Sequence, residues 1–229
     1  MAIKQITDTL IQITKFGVMN SYLLKEDDGF TVIDTGMAGM EKMIIETAAQ
    51  QGQPIMRVVL THAHSDHIGG LDALKQELPN IEIITSEQSA RFINGDMSLE
   101  KGQADATLKG DFPRVESRPT QTVKDDDAIG SIRVIATPGH TPGHISFYDV
   151  RDGSLITGDA FQTLGGIAVA GVIRWLFPLP AFATWHKQTA AQSAEKLLAL
   201  NPKRLAPGHG QVLENPTAAM QKAIAKAKK

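Results

Sequence analysis

Residues 55–70, IMRVVLTHAHSDHIGG, concentrate the side chains that could do chemistry. The chain has seven histidines, and three of them fall with a carboxylate inside six positions: His62, His64, Asp66 and His67. Imidazole and carboxylate are the donors that zinc and similar ions accept. On an extended segment residues i and i+2 point to one side, so His62 and His64 can reach one ion together. Asp66 and His67 follow where the chain turns and can face a second position beside the first. Gly69 and Gly70 allow a tight backbone path out of that turn.

Other candidate donors also follow predicted strands. His140 sits in TPGHTPGH, residues 137–144, where Pro and Gly on both sides make a rigid turn that fixes the direction of the imidazole. His144, four residues on, reads as a packing or supporting residue rather than a ligand. Asp159 ends the run TGD, and the glycine before it permits close approach; a carboxylate there could bridge two ions. Asp34 ends the strand FTVID, either as a turn residue or as the partner that orients a ligand histidine. His209 lies in PGHG after a last short strand.

The string His62-x-His64-x-Asp66-His67 resembles the H-x-H-x-D-H signature of the metallo-β-lactamase superfamily. His140 matches its later G-H-T element, Asp159 its Gly-Asp element and His209 its final histidine, so the likeness spans nearly the whole chain. It implies an α+β fold, a four-layer αββα sandwich whose two mixed sheets carry the ligands along one edge. It further implies one ion on His62, His64 and His140 and another on Asp66, His67 and His209. Asp159 and a solvent hydroxide would lie between them. Asp66 would also pass a proton to the leaving group, and Asp34 would orient a ligand. Zinc is the first expectation, with iron, manganese or cobalt as alternatives.

The implied activity is binuclear hydrolysis of an ester, lactone or thioester. Alternatives are a one-iron sulfur dioxygenase-like enzyme, a phosphoesterase, phosphotriesterase or β-lactam hydrolase on the same scaffold, and a non-catalytic scaffold. Glyoxalase II-like members carry a helical domain after the last histidine, for which the twenty residues after His209 are too few. Nuclease branches carry large insertions or basic surfaces, and neither is evident. Asp159 stands where the Cys-containing β-lactamases have cysteine, and the chain has none.

The elements that must position these groups follow from apolar patterning. Strands are expected at 9–16, 20–25 and 30–34, separated by Gly17 and by the cluster Glu26-Asp27-Asp28-Gly29. Val58-Val59-Leu60 is a buried strand before the histidines. Helices are expected at 39–51, 70–78, 86–93 (capped by Ser86), 187–200 and 216–228, and further strands at 81–85, 118–123, 131–136, 145–150, 153–157 and 203–206. Residues 94–116 read as an irregular insertion near the mouth of the site. Asp125-Asp126-Asp127 lacks calcium-loop spacing and reads as an exposed turn.

Residues 161–185 hold Phe161, Trp175, Phe177, Phe182 and Trp185, with glycines and prolines that discourage a continuous helix. They are expected to line the pocket for a small substrate with an apolar part; packing on the core or a homodimer contact are the other uses of such a stretch. A 229-residue chain with 42% hydrophobic residues suits a single metallo-β-lactamase-like domain over 1–229. A net charge of −2 gives no reason to expect nucleic acid or a membrane surface as partner. No apolar leader is seen, and a cytoplasmic location is expected.

Overall fold

A computed structural model describes residues 2–229. The chain divides into two compact units, one reaching Met97 and including Phe112–Val123, the other formed by Ser98–Asp111 and Lys124–Lys229.

The first unit is built on strands β1 (Ala2–Gln5), β2 (Leu10–Lys15), β3 (Met19–Glu26), β4 (Gly29–Ile33), β5 (Ile55–Val59), β6 (Glu82–Ser86) and β7 (Gln121–Val123). They form one sheet in sequence order. The first four run antiparallel, as short Gly- and Asp-rich turns require. From β4 to β7 the pairing is parallel. Parallel strands need long crossovers, and the helices supply them: α1 (Glu41–Gln50), α2 (Ser65–Ile68), α3 (Leu71–Glu77) and α4 (Glu87–Ile93). Helix α1 buries Met43, Ile44, Thr47 and Ala48, the 3–4 stripe expected of it. Ser86 caps α4 by accepting from the Ser89 amide at 3.1 Å.

The second unit holds β8 (Ala128–Ile129), β9 (Ile132–Ala136), β10 (Ile145–Asp149), β11 (Ser154–Gly158), β12 (Phe161–Gln162), β13 (Ala168–Val169), α5 (Leu179–Phe182), α6 (Lys187–Ala199), β14 (Arg204–Pro207), β15 (Leu213–Glu214) and α7 (Thr217–Ala227). Its main sheet has the order β15-β14-β11-β10-β9-β8. The pairs β8–β9, β9–β10, β10–β11 and β14–β15 are antiparallel; β11–β14 is parallel. Strands β9, β11 and β14 therefore point the same way and end at one edge. Phe161, Leu155, Leu197, Leu205, Met220 and Ile224 belong to the buried core of this unit.

The two large mixed sheets agree with the fold class read from the sequence, and each expected helix and strand is present within a few residues. The short strands β1, β8, β12, β13 and β15 were not foreseen, nor were α2, where a turn was expected, and the one-turn α5, which starts directly after Pro178. Among the described residues no helix is long and apolar enough to cross a membrane.

Candidate metal centre

In the first unit the parallel pairing of β4 and β5 sets Ile33 opposite Val59, so Asp34 and the Thr61–His64 run leave the same edge. Asp34 is buried and left-handed, with φ 57°, a conformation that costs a non-glycine residue about 1 kcal/mol or more. Its backbone is held by the bond from its own amide to Val59 O (3.0 Å) and by the Ser21 hydroxyl, which donates to Asp34 O at 2.5 Å. The carboxylate so placed accepts three bonds: from the Thr61 amide (2.8 Å), the Thr61 hydroxyl (2.8 Å) and His67 Nδ1 (2.7 Å).

These bonds fix ring protons. An ionised carboxylate only accepts, so His67 carries hydrogen on Nδ1 and presents Nε2 as its lone-pair nitrogen. The Thr61 hydroxyl has given its one proton to Asp34. It therefore accepts from His62 Nδ1, 3.0 Å away, and His62 also presents Nε2. That nitrogen lies 3.1 Å from His64 Nδ1, a spacing at which two ring nitrogens need a proton or a cation between them. The rings of His62 and His67 are 4.1 Å apart, and Phe112 meets the edge of His64 at 4.7 Å. Asp66, on α2, is half-buried, with Oδ2 3.9 Å from His67 Nε2. The three histidines beside it are buried.

In the second unit His140 follows β9, Asp159 follows β11 and His209 follows β14, at the shared edge. The Gly208 amide donates to Gly158 O at 2.8 Å and locks the last two turns together. His140 Nε2 and His209 Nε2 both face one carboxylate oxygen, Asp159 Oδ2, at 3.4 and 3.2 Å. Gly139 lets the His140 turn sit directly on α6, since a Cβ there would lie 2.3 Å from Ala190 Cα. His144 does not face that carboxylate as a ligand would. Its Nε2 accepts from the Asp159 amide (3.1 Å), so its Nδ1 proton goes to the Thr137 hydroxyl (2.8 Å). His144 thus aims the Asp159 backbone.

The expected pocket stretch divides. Phe161 is fully buried in the core of its unit and forms no exposed wall. Trp185 is also buried; its indole donates to Ala106 O at 2.9 Å and ties down the 98–111 segment. Trp175 (85% exposed) and Phe182 (57%) face solvent with Leu176 and Leu179, and the Phe177 ring lies 5.0 Å from His209. Sequence reasoning missed Thr61, Thr137, Thr184 and Phe112. Only Thr61 carried a signal, its adjacency to His62.

In the first unit the outer nitrogens of His62 and His67 are committed and their inner nitrogens left for a ligand, and in the second two buried imidazoles face one carboxylate oxygen; donors of these kinds suit a divalent cation. A model of the metallo-beta-lactamase superfamily matches residues 14–209.

The chain belongs to the metallo-beta-lactamase superfamily.

Uncharacterized protein YobT of Bacillus subtilis (strain 168) is 45% identical over 225 residues, covering 96% of this chain and 97% of that protein. Probable metallo-hydrolase YflN of the same organism is 30% identical over 214 residues, covering 84% and 81%. A hydroxyacylglutathione hydrolase of Rhizobium etli is 32% identical over 179 residues, covering 77% of this chain and 57% of that enzyme. Among solved structures, DIM-1 metallo-beta-lactamase has a TM-score of 0.75 at 15% identity, covering 99% of this chain and 96% of that one. TTHA1623 in a di-iron-bound form has a TM-score of 0.65 at 24% identity, covering 90% and 94%. These structures share the metallo-beta-lactamase fold with this chain. As a superfamily member with metallo-hydrolase relatives, the protein is a metal-dependent hydrolase.

Proposed function

We propose that the protein uses two divalent ions to hydrolyse an ester, lactone or thioester with an apolar part. In this reading His62, His64 and His140 hold one ion and Asp66, His67 and His209 the other, with Asp159 shared. The observation that carries it is the convergence of His140 and His209 on the single oxygen Asp159 Oδ2. Those two histidines serve different ions in the superfamily pattern, so a carboxylate between them is set to bridge. Zinc fits an all-nitrogen-and-oxygen donor set without cysteine.

Bound divalent ions would lower the pKa of water and polarise the substrate carbonyl. The protein's own groups do the rest. Asp34 and Thr61 hold His67 and His62 in the ligating tautomer. His144 fixes the amide of Asp159. Asp66, half-buried where the other six donors are buried, can exchange a proton with solvent and deliver it to a leaving group. Phe177, against His209, and the exposed Trp175, Leu176, Leu179 and Phe182 offer apolar surface for the substrate. The hydroxyacylglutathione hydrolase relative supports including thioesters.

The test is a panel of lactones, thioesters, phosphoesters and β-lactams assayed on the zinc-loaded protein. Turnover of carbonyl esters, lactones or thioesters, abolished by Asp66→Asn, is expected. Turnover confined to phosphoesters or β-lactams would refute the substrate class.

A further inference from the structure

Thr184 lies at the end of the aromatic stretch, immediately beyond α5, and is fully buried. Its hydroxyl donates to Pro180 O at 2.7 Å. The same oxygen stands 3.2 Å from His140 Nδ1. A hydroxyl has one proton, and a carbonyl can only accept it. Towards His140, then, Thr184 offers lone pairs alone, and the ring must bring the hydrogen on Nδ1. A neutral imidazole with Nδ1–H has its lone pair on Nε2, the nitrogen that faces Asp159. Two backbone bonds keep the geometry from drifting: the Trp185 amide donates to His140 O and the His186 amide to Gly139 O, each at 2.9 Å.

We propose that Thr184 is a positioning residue that sets the proton tautomer of His140 and thereby makes it a metal ligand. The device parallels Thr61, which gives its proton to Asp34 and accepts from His62. In the second unit a backbone carbonyl of α5 takes the part that a carboxylate takes in the first. The short helix whose outer residues Leu179 and Phe182 are exposed thus also holds a ligand in register through Pro180 and Thr184. This inference rests on the reading of His140 as a ligand.

The test titrates zinc into the metal-free full chain against a competing chelator, for wild type, Thr184→Val, Thr184→Ser and His140→Ala. Thr184→Val keeps the shape and loses the acceptor; it should weaken one of the two ions by roughly 10–100-fold, the usual effect of losing a ligand's outer partner. Thr184→Ser should restore that affinity. A hydroxyl that only closed α5 would lower the melting temperature of the metal-free protein and leave both affinities unchanged, which overturns the inference. If His140→Ala also keeps both ions at wild-type affinity, the parent reading falls instead. Nitrogen chemical shifts of the His140 ring in metal-free wild type decide the matter should Thr184→Val fail to fold. Hydrogen on Nδ1 is expected, and hydrogen on Nε2 alone would refute the proposal.

Discussion

Asp34→Asn isolates what the buried carboxylate does. Asparagine tolerates the left-handed backbone well, so the change at φ 57° leaves the strain nearly untouched and alters only the side chain. The best amide orientation puts its oxygen where Oδ2 was, still accepting from the Thr61 hydroxyl and His67 Nδ1. Its NH2 then opposes the Thr61 amide, a donor against a donor across what was a 2.8 Å bond. Losing that bond and leaving a buried donor unmatched costs about 1–3 kcal/mol. For a chain of this length that lowers the melting temperature of the metal-free protein by roughly 2–12 °C. The bonds that orient His67 and, through Thr61, His62 also lose their charge, so zinc affinity should fall by about 10–100-fold. Calorimetry and chelator competition on the purified variant read both effects. Unchanged melting and unchanged affinity together would refute the claim that Asp34 orients these histidines.

Gly139→Ala should destabilise the chain by about 1–3 kcal/mol in urea unfolding, because the new Cβ runs into the Ala190 backbone of α6. Trp175→Ala and Phe177→Ala should lose about 1–3 kcal/mol of transition-state binding on large apolar esters and little on short-chain ones. An equal loss on all substrates, or a change in sedimentation alone, would make these residues an interface. Asp72 anchors the segment that follows Phe112: partial burial pushes its carboxyl up, but bonds from the Glu116 and Ser117 amides outweigh this and hold it below the usual range. Because the folded value is the lower one, this stabilisation is complete above the ordinary carboxylate pKa of about 3.9 and fades as the pH falls through the folded value. Asp72→Asn should therefore destabilise the protein equally at neutral and mildly alkaline pH and approach wild type only in acid, as urea unfolding across that range would show.

The main strands and helices were legible because their apolar periods are strong, as in Val58–Leu60 or the Met43–Ala48 face of α1. The donors were legible because the chain has only seven histidines, so those at strand ends stood out and drew attention to the aspartates beside or patterned with them. The threonines that set the ring protons were not. Threonine occurs throughout the chain, and its role at 61 and 184 depends on which acceptor tertiary folding brings to its one proton. Two-residue strands such as β8 and β12 exist through pairing rather than pattern. Phe161 and Trp185 show the limit of reading aromatics as a surface: the same residue types fill the core of their unit, and only burial separates them from Trp175 and Phe182.

The proposed two-ion reading of His62, His64, Asp66, His67, His140, Asp159 and His209 is tested most directly by elemental analysis of protein whose activity is measured on the same sample. Two divalent ions per chain are expected, falling to one or fewer in Asp159→Ala with hydrolysis lost in proportion. Full activity in protein without bound transition metal, or a single iron per chain supporting oxygen-dependent rather than hydrolytic turnover, would contradict the account.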